Sequence, residues 1–248
     1  MLKIGIFGDS FADENTFSNE YAIAWPTMLR NTTKHSVTNY GIGGSSLYYS
    51  YQMFMKNYDK FDRIIFIVTN IGRLWIRNFQ DLDARLCHIP GISVIPERRK
   101  IFSSVEYKNF WDACESYYLH IQDFEKESNL HHLMIDKIKS LRPDTLLIPI
   151  DYPALENYSG ISLYEISELD YKHFNIGQDE KIKYNDIRPC HFNKFNTDVF
   201  YKKILQWLDT NEFILNLNEF KAATGQPIEE IFVEQYSSRW EKLFTRRK

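Results

Sequence analysis

Short apolar runs alternate along this chain with segments of helical periodicity, and this alternation constrains the fold more than any other feature. The runs lie at about residues 2–7, 35–39, 63–69 and 145–150. They are short and rich in branched residues, as buried strands of a parallel sheet are. Strands that alternate with helices predict right-handed crossovers between parallel strands. We therefore expect an α/β fold, built as a three-layer α/β/α sandwich around a mainly parallel sheet.

Helical periodicity occupies much of the chain between these runs. Helices are expected at about residues 22–30, 47–55, 105–141 and 194–208. Ser128 and Asn129 are expected to break the third of these helices. A chain of 248 residues is long enough to bury a large core as one unit. We therefore expect a single α/β domain over residues 1–210.

Two segments depart from the alternation. Residues 73–104 contain Pro90, Gly91 and Pro96 and carry a basic cluster, which predicts an inserted loop or lid beside the cleft. Residues 211–248 predict a C-terminal helical extension that packs on the core or mediates homo-oligomer formation. No chemical role is expected for this extension.

The tripeptide Gly8-Asp9-Ser10 directly follows the first apolar run. Ligand sites of α/β proteins lie at the carboxyl ends of the strands. A serine there can stand on a tight turn, with backbone amides of the following segment pointing toward an anion that forms nearby. A turn or a helix cap uses the same three residues, so the tripeptide alone fits both a nucleophile and an N-cap.

Two further motifs follow the second and third runs. Residues 39–46 read Asn-Tyr-Gly-Ile-Gly-Gly-Ser-Ser, and the amide of Gly44 could donate to an oxyanion. A glycine-rich β-to-α turn accounts for these residues equally well, whereas a dinucleotide fingerprint does not. The third run ends in Thr69-Asn70. The carboxamide of Asn70 could supply a neutral oxyanion donor at the same edge of the sheet, or it could cap the next loop.

A fourth motif, Asp186-Ile187-Arg188-Pro189-Cys190-His191, stands just before the last predicted helix. An imidazole with a near-neutral pKa can accept a serine proton and return it to a leaving group, which makes His191 the candidate base. Asp186 would orient the ring and stabilise the imidazolium. His191 differs from the other six histidines because an acidic residue precedes it in a short loop that leads into a helix.

The order of these four motifs resembles that of the SGNH, or GDSL-type, hydrolases, over residues 2 to about 208. The resemblance implies a flavodoxin-like SGNH hydrolase fold and a serine esterase that needs no cofactor and no metal. It makes Ser10 the nucleophile, His191 the base and Asp186 the orienting acid. It makes the amides of Ser10 and Gly44 and the carboxamide of Asn70 the oxyanion donors. The expected substrate is a carboxylic ester, among others an O-acetyl group on carbohydrate.

The chain departs from the family's pattern in places. Asp186 lies five residues before His191, whereas the family places its Asp three residues before the His, where this chain has Arg188. Val68 stands where the family has a glycine. These departures favour the alternative of a non-catalytic module that binds carbohydrate or another ligand on the same fold. A phosphate-binding flavodoxin-like domain and a Cys190 nucleophile also fit parts of the sequence, but the first leaves His191 without a role.

The composition limits which cellular compartment and which binding partners we expect for this protein. The formal net charge of −3 gives no general electrostatic reason to bind nucleic acid or acidic membranes. Three cysteines without a C-x-x-C pair favour reduced thiols over a disulfide framework or a zinc site. No signal peptide and no membrane-length apolar stretch is recognisable, so we expect a soluble cytoplasmic protein. Aromatic residues make up 16% of the chain, and aromatic-rich clefts suit sugar rings and acyl chains.

Overall fold

The computed structural model describes residues 1–14, 23–76, 84–150, 162–172, 191–222 and 225–230. The chain divides into two compact units. Unit 1 comprises Met1–Thr16 and Lys34–Glu156, and unit 2 comprises Phe17–Thr33 and Asn157–Lys248. No helix among the described residues has both the length and the apolar character needed to cross a membrane.

A four-stranded parallel sheet forms the centre of unit 1. Its strands are β1 (Lys3–Phe7), β2 (Ser36–Asn39), β3 (Arg63–Val68) and β6 (Leu146–Pro149). They lie in the order β2-β1-β3-β6, and every neighbouring pair is parallel. The central strands β1 and β3 are almost wholly buried because their branched and aromatic side chains pack on both faces of the sheet. The predicted α/β class with a parallel sheet flanked by helices is confirmed.

Among the described helices of unit 1, two long ones begin at a residue whose side chain caps them. Helix α2 (Leu47–Asn57) starts at Ser46, whose hydroxyl accepts a hydrogen bond from the amide of Tyr49 at 3.2 Å. It packs on β1 and against α6 (Phe124–Leu141). Helix α5 (Val105–Ser116) continues into a π-helical turn, Tyr117–Ile121, ahead of α6.

The predicted break of the 105–141 segment near Ser128 and Asn129 is wrong. The chain leaves helical geometry at Gln122 and Asp123 instead. The carboxylate of Asp123 accepts the amide of Lys126 at 3.1 Å and so starts α6 five residues earlier than expected. Ser128 and Asn129 therefore lie within α6, because this helix begins at its N-cap Asp123.

Short elements occupy the described part of residues 73–104. Strands β4 (Leu74–Trp75) and β5 (His88–Ile89) pair antiparallel, with α3 (Ala84–Cys87) just before β5 and α4 (Ile95–Ile101) after it. This segment packs with α5 around a small core of its own, composed of Leu86, Ile89, Ile95, Trp111 and Cys114. Cys87 and Cys114 are both buried, and neither takes part in a disulfide among the residues that the structure describes.

Unit 2 is helical in its described parts. It contains α1 (Trp25–Thr32), α7 (Leu163–Lys172) and α8 (Lys194–Thr210). The ring of Trp25 packs edge-on against Phe200, which holds α1 against α8. After α8 a 3-10 turn at Leu217–Glu219 leads to Lys221, whose amide donates to Asn196 on α8 at 2.9 Å. The described start of the C-terminal segment is thus fastened to α8.

Candidate active site

The tripeptide Gly8-Asp9-Ser10 forms a tight turn at the carboxyl end of β1. The amides of Ala12 and Asp13 both donate to the carbonyl of Asp9 at 2.9 Å, which closes the turn. A Cβ added to Gly8 would lie 2.7 Å from the Cβ of Ile67 on β3, so no larger residue fits there. Ser10 is half-buried on this turn.

The glycine-rich loop after β2 lies directly against this turn. The carbonyl of Gly8 accepts hydrogen bonds from the amide of Ile42 at 3.3 Å and from the hydroxyls of Ser45 at 3.0 Å and Ser50 at 3.3 Å. Gly44 has a φ of +77°, a conformation that favours glycine. The loop that carries Gly44 is therefore fixed beside the segment that carries Ser10.

Three further polar contacts hold the glycine-rich loop against the segment that follows Ser10. The side chain of Asn39 donates to the carbonyl of Ala12 at 2.7 Å and accepts the amide of Gly41 at 2.8 Å. The buried carboxylate of Asp13 accepts the amide of Gly43 at 2.7 Å. Side chains thus satisfy backbone amides that would otherwise be unpaired in a buried turn.

The carboxylate of Asp9 joins the first motif to the third. It is fully buried and accepts hydrogen bonds from the hydroxyl of Thr69 at 3.1 Å and the guanidinium of Arg73 at 2.6 Å. Its other oxygen accepts the amide of Phe11 at 3.1 Å. Arg73 also reaches the carbonyl of Ser45 at 3.4 Å. The loops after β1, β2 and β3 therefore meet at one end of the sheet.

Asn70 is half-buried in the segment that follows β3. Its Oδ1 is buried and receives no hydrogen bond from any residue that the structure describes. The residue lines a cavity, described below, with its neighbours Ile71, Gly72 and Arg73. The Nδ2 group of such a side chain is a neutral donor that needs no particular pH.

His131 on α6 fixes the backbone beside Asn70. Its Nε2 lies 2.8 Å from the carbonyl oxygen of Thr69. A carbonyl can only accept, so Nε2 carries the proton and Nδ1 has a free lone pair. Burial lowers the pKa of His131 to about 4, despite the raising effect of this hydrogen bond. The imidazole is therefore neutral at pH 7.

A second buried histidine lies close to the glycine-rich loop. The carbonyl of His88 on β5 lies 3.8 Å from the position that a Cβ on Gly44 would take. Burial, with the nearby charge of Arg98, lowers the pKa of His88 to about 4. The ring packs edge-on against Tyr49, with 4.6 Å between the ring centroids. These contacts make His88 part of the packing around the glycine-rich loop.

A cavity of about 440 Å³ lies beside Asn70, within unit 1. Its walls are the first half of α2, the middle of α6, the 70–75 segment after β3, and Tyr117 of the π-helical turn. Aromatic and aliphatic side chains predominate in the walls. Five polar residues join them: Ser46, Asn70, Arg73, Glu127 and His131.

The fourth predicted motif belongs to unit 2. His191 is half-buried and lies two residues before Asn193, whose side chain accepts the amide of Asn196 and so caps α8. Asp186, Arg188 and Cys190 lie outside the described residues. The roles of His191 and Asp186 stay predictions, as do those of Ser10, Gly44 and Asn70.

Comparison with known proteins adds structural matches to GDSL-family lipase/acylhydrolases. A lipase/acylhydrolase from Enterococcus faecalis matches at 14% identity with a TM-score of 0.35, over 85% of this chain and 97% of its own. A G-D-S-L family protein from Desulfitobacterium hafniense DCB-2 matches at 15% identity with a TM-score of 0.25, over 64% and 85%. No family model and no curated protein matches the sequence. Likenesses this distant say nothing about chemistry, so the case for function rests on the site itself.

Three residues that shape this site are not evident from the sequence. Arg73 and Asp13 belong to no recognisable sequence motif, and only the fold shows that they hold Asp9 and Gly43. His131 lies among the other polar residues of α6, next to His132. A helical projection of α6 places His131 near Ile135 and Ile138 on the buried face, and that is the one signal that the sequence offers.

Proposed function

We propose that the protein is a serine esterase of the SGNH type. The observation that supports the proposal is the junction at Asp9, where Thr69 and Arg73 bring together the loops that carry Ser10, Gly44 and Asn70. A hydroxyl, the backbone amide of a positive-φ glycine and a carboxamide at one edge of a parallel sheet are the parts that acyl transfer needs.

In the proposed reaction, the hydroxyl oxygen of Ser10 attacks the ester carbonyl while His191 takes the hydroxyl proton. Asp186 holds the imidazole and stabilises its charged form. The amides of Ser10 and Gly44 and the Nδ2 of Asn70 donate to the oxyanion of the tetrahedral intermediate. The C–O bond to the alcohol then breaks, and His191 gives its proton to the departing oxygen.

Water completes the cycle. It attacks the acyl-serine ester with His191 as base, which releases the carboxylic acid and restores the Ser10 hydroxyl. The two buried histidines of unit 1 are poor candidates for this base. His131 uses its Nε2 proton to bind the Thr69 carbonyl, and the pKa of each is near 4, well below the value that suits proton transfer at neutral pH.

The experiment compares wild-type protein with Ser10→Ala in the hydrolysis of p-nitrophenyl acetate. Ser140→Ala serves as the control because Ser140 is exposed on α6, where its hydroxyl donates to the carbonyl of Lys137. We expect Ser10→Ala to abolish nearly all turnover and Ser140→Ala to retain it. A fluorophosphonate probe should label wild-type protein at Ser10. Equal hydrolysis by wild type and Ser10→Ala would refute the proposal.

The second candidate is a binding module without catalysis. The substitution of Arg188 at the position where the family has its Asp favours it. It predicts a folded protein that neither hydrolyses esters nor reacts with the fluorophosphonate probe. The same labelling experiment therefore separates the two functions.

A further inference from the structure

The cavity beside Asn70 is too large for an acetyl group alone. Its volume is about 440 Å³, within the range of roughly 300–1,000 Å³ that small-molecule sites occupy. Cavities of this size hold small organic ligands, and most of their contacts are apolar. The group that fits here is an alkyl chain of several carbons or an aromatic ring.

The polar side chains in the wall other than Asn70 are already engaged with other protein groups, and the hydroxyl of Ser46 accepts the amide of Tyr49. The guanidinium of Arg73 is paired with the buried carboxylate of Asp9. The carboxylate of Glu127 accepts hydrogen bonds from the hydroxyl of Tyr117 at 2.5 Å and from the side-chain Nε2 of Gln122 at 3.0 Å. His131 is neutral and donates to Thr69, and its other ring nitrogen is buried. The wall therefore suits an uncharged, apolar group better than a sugar or an anion.

The rim of the cavity is apolar and accessible. Leu130 and Leu133 lie three positions apart on α6 and so share one helix face. Their side chains are 48% and 64% exposed although both line the cavity. A bound alkyl chain would cover them and gain the hydrophobic free energy of that burial.

Asn70 connects the cavity to the proposed chemistry. It forms part of the wall, and it is also the proposed side-chain donor to the oxyanion. An ester whose carbonyl oxygen meets Nδ2 of Asn70 has its carbonyl carbon close to the cavity, so that a chain attached to that carbon can enter it.

We infer that this cavity binds the acyl part of the ester, and that the substrates carry a medium-length alkyl or an aryl acyl group. The inference rests on the proposed esterase function and specifies its substrate class. Trp75, Tyr48 and Tyr51 would flank the chain, and Leu130 and Leu133 would cover its far end.

The first experiment measures kcat/KM for p-nitrophenyl acetate, butyrate, hexanoate and octanoate below their micelle concentrations. Each buried CH₂ can raise kcat/KM by up to about fourfold, so we expect octanoate to exceed acetate by at least tenfold. Leu133→Asp and the milder Leu130→Gln should each lower the octanoate-to-acetate ratio at least fivefold. Leu119→Asp is the control, because Leu119 is 59% exposed and lies outside the cavity wall.

A flat chain-length profile, or the same fall of the ratio in Leu119→Asp, would overturn the inference while leaving the esterase proposal intact. A second measurement does not depend on turnover. Calorimetric titration of Ser10→Ala should show binding of the uncharged ester methyl octanoate that is weakened at least tenfold by Leu133→Asp, with no binding of methyl glucoside. Binding of methyl glucoside but not methyl octanoate would refute the acyl assignment, whether or not the protein proves to be an esterase.

Discussion

The guanidinium of Arg73 donates to the carboxylate of Asp9 across 2.6 Å, in a pair whose acidic partner is fully buried. The same carboxylate oxygen accepts the hydroxyl of Thr69, and the same guanidinium nitrogen reaches the carbonyl of Ser45. This pair holds together the loops that follow β1, β2 and β3. The edge of the sheet where the proposed chemistry takes place is thus organised around one buried ion pair.

Removal of one partner of this pair should destabilise the protein strongly. In Arg73→Met the buried charge of Asp9 loses its counterion, which should lower the free energy of unfolding by about 3–5 kcal/mol. The double variant Asp9→Asn/Arg73→Met should recover part of this loss, because neither side chain is then charged. Urea unfolding followed by tryptophan fluorescence measures both values.

The control for this experiment is Arg99→Gln. Arg99 pairs with Asp112 and Glu115 at 2.8 and 2.7 Å, but all three side chains are at least one-third exposed. We expect a loss of less than about 1 kcal/mol, as for other surface ion pairs. A loss in Arg73→Met no larger than that in Arg99→Gln would show that the Asp9 pair does not hold the loops.

The sheet follows from the sequence, and much of the polar framework around the site does not. The apolar runs that form β1 and β3 are buried on both faces, and short runs of branched residues are typical of such central parallel strands. Arg73 belongs to no such pattern, because a pairing across 64 positions exists only once the strands are side by side. Hydrophobic periodicity could not predict the start of α6 either, because a single hydrogen bond to the carboxylate of Asp123 decides where that helix begins.

Asn70→Ala tests the oxyanion donor. Loss of one such donor lowers kcat by about 10²–10³, and KM should change little because the interaction strengthens only in the transition state. Asn57→Ala is a matched control: Asn57 is buried at the end of α2 and donates to the carbonyl of Met53 at 2.8 Å. It should lose stability and keep its kcat. Steady-state kinetics with p-nitrophenyl esters distinguish the two, and an unchanged kcat in Asn70→Ala would remove Asn70 from the oxyanion hole.

Gly41→Ala should disturb the glycine-rich loop through a backbone clash. A Cβ at Gly41 would lie 2.7 Å from the carbonyl carbon of Ala12, and backbone there cannot yield as a flexible side chain can. We expect a loss of about 1–3 kcal/mol of stability, the usual cost of overpacking, together with reduced turnover. Gly91→Ala introduces the same methyl group where no atom of the described residues lies within 4 Å. Thermal unfolding should show Gly91→Ala close to wild type, and equal melting temperatures for the two variants would contradict the prediction.

The buried neutral His131 makes stability depend on pH in a definite direction. Its pKa is about 4 in the folded protein and near 6.5 when unfolded, so between these values the unfolded chain binds the additional proton. The stability due to this group is complete above pH 6.5 and is lost as the pH falls toward 4. Between pH 7 and pH 4.5 the loss is about 2 kcal/mol for this one residue. His131→Gln keeps a donor for the Thr69 carbonyl but does not titrate, so urea unfolding at the two pH values should show a smaller loss by that amount. His120→Gln supplies the control for the change of residue type, because His120 is exposed. A wild-type pH dependence in His131→Gln would show that His131 is not held neutral by burial.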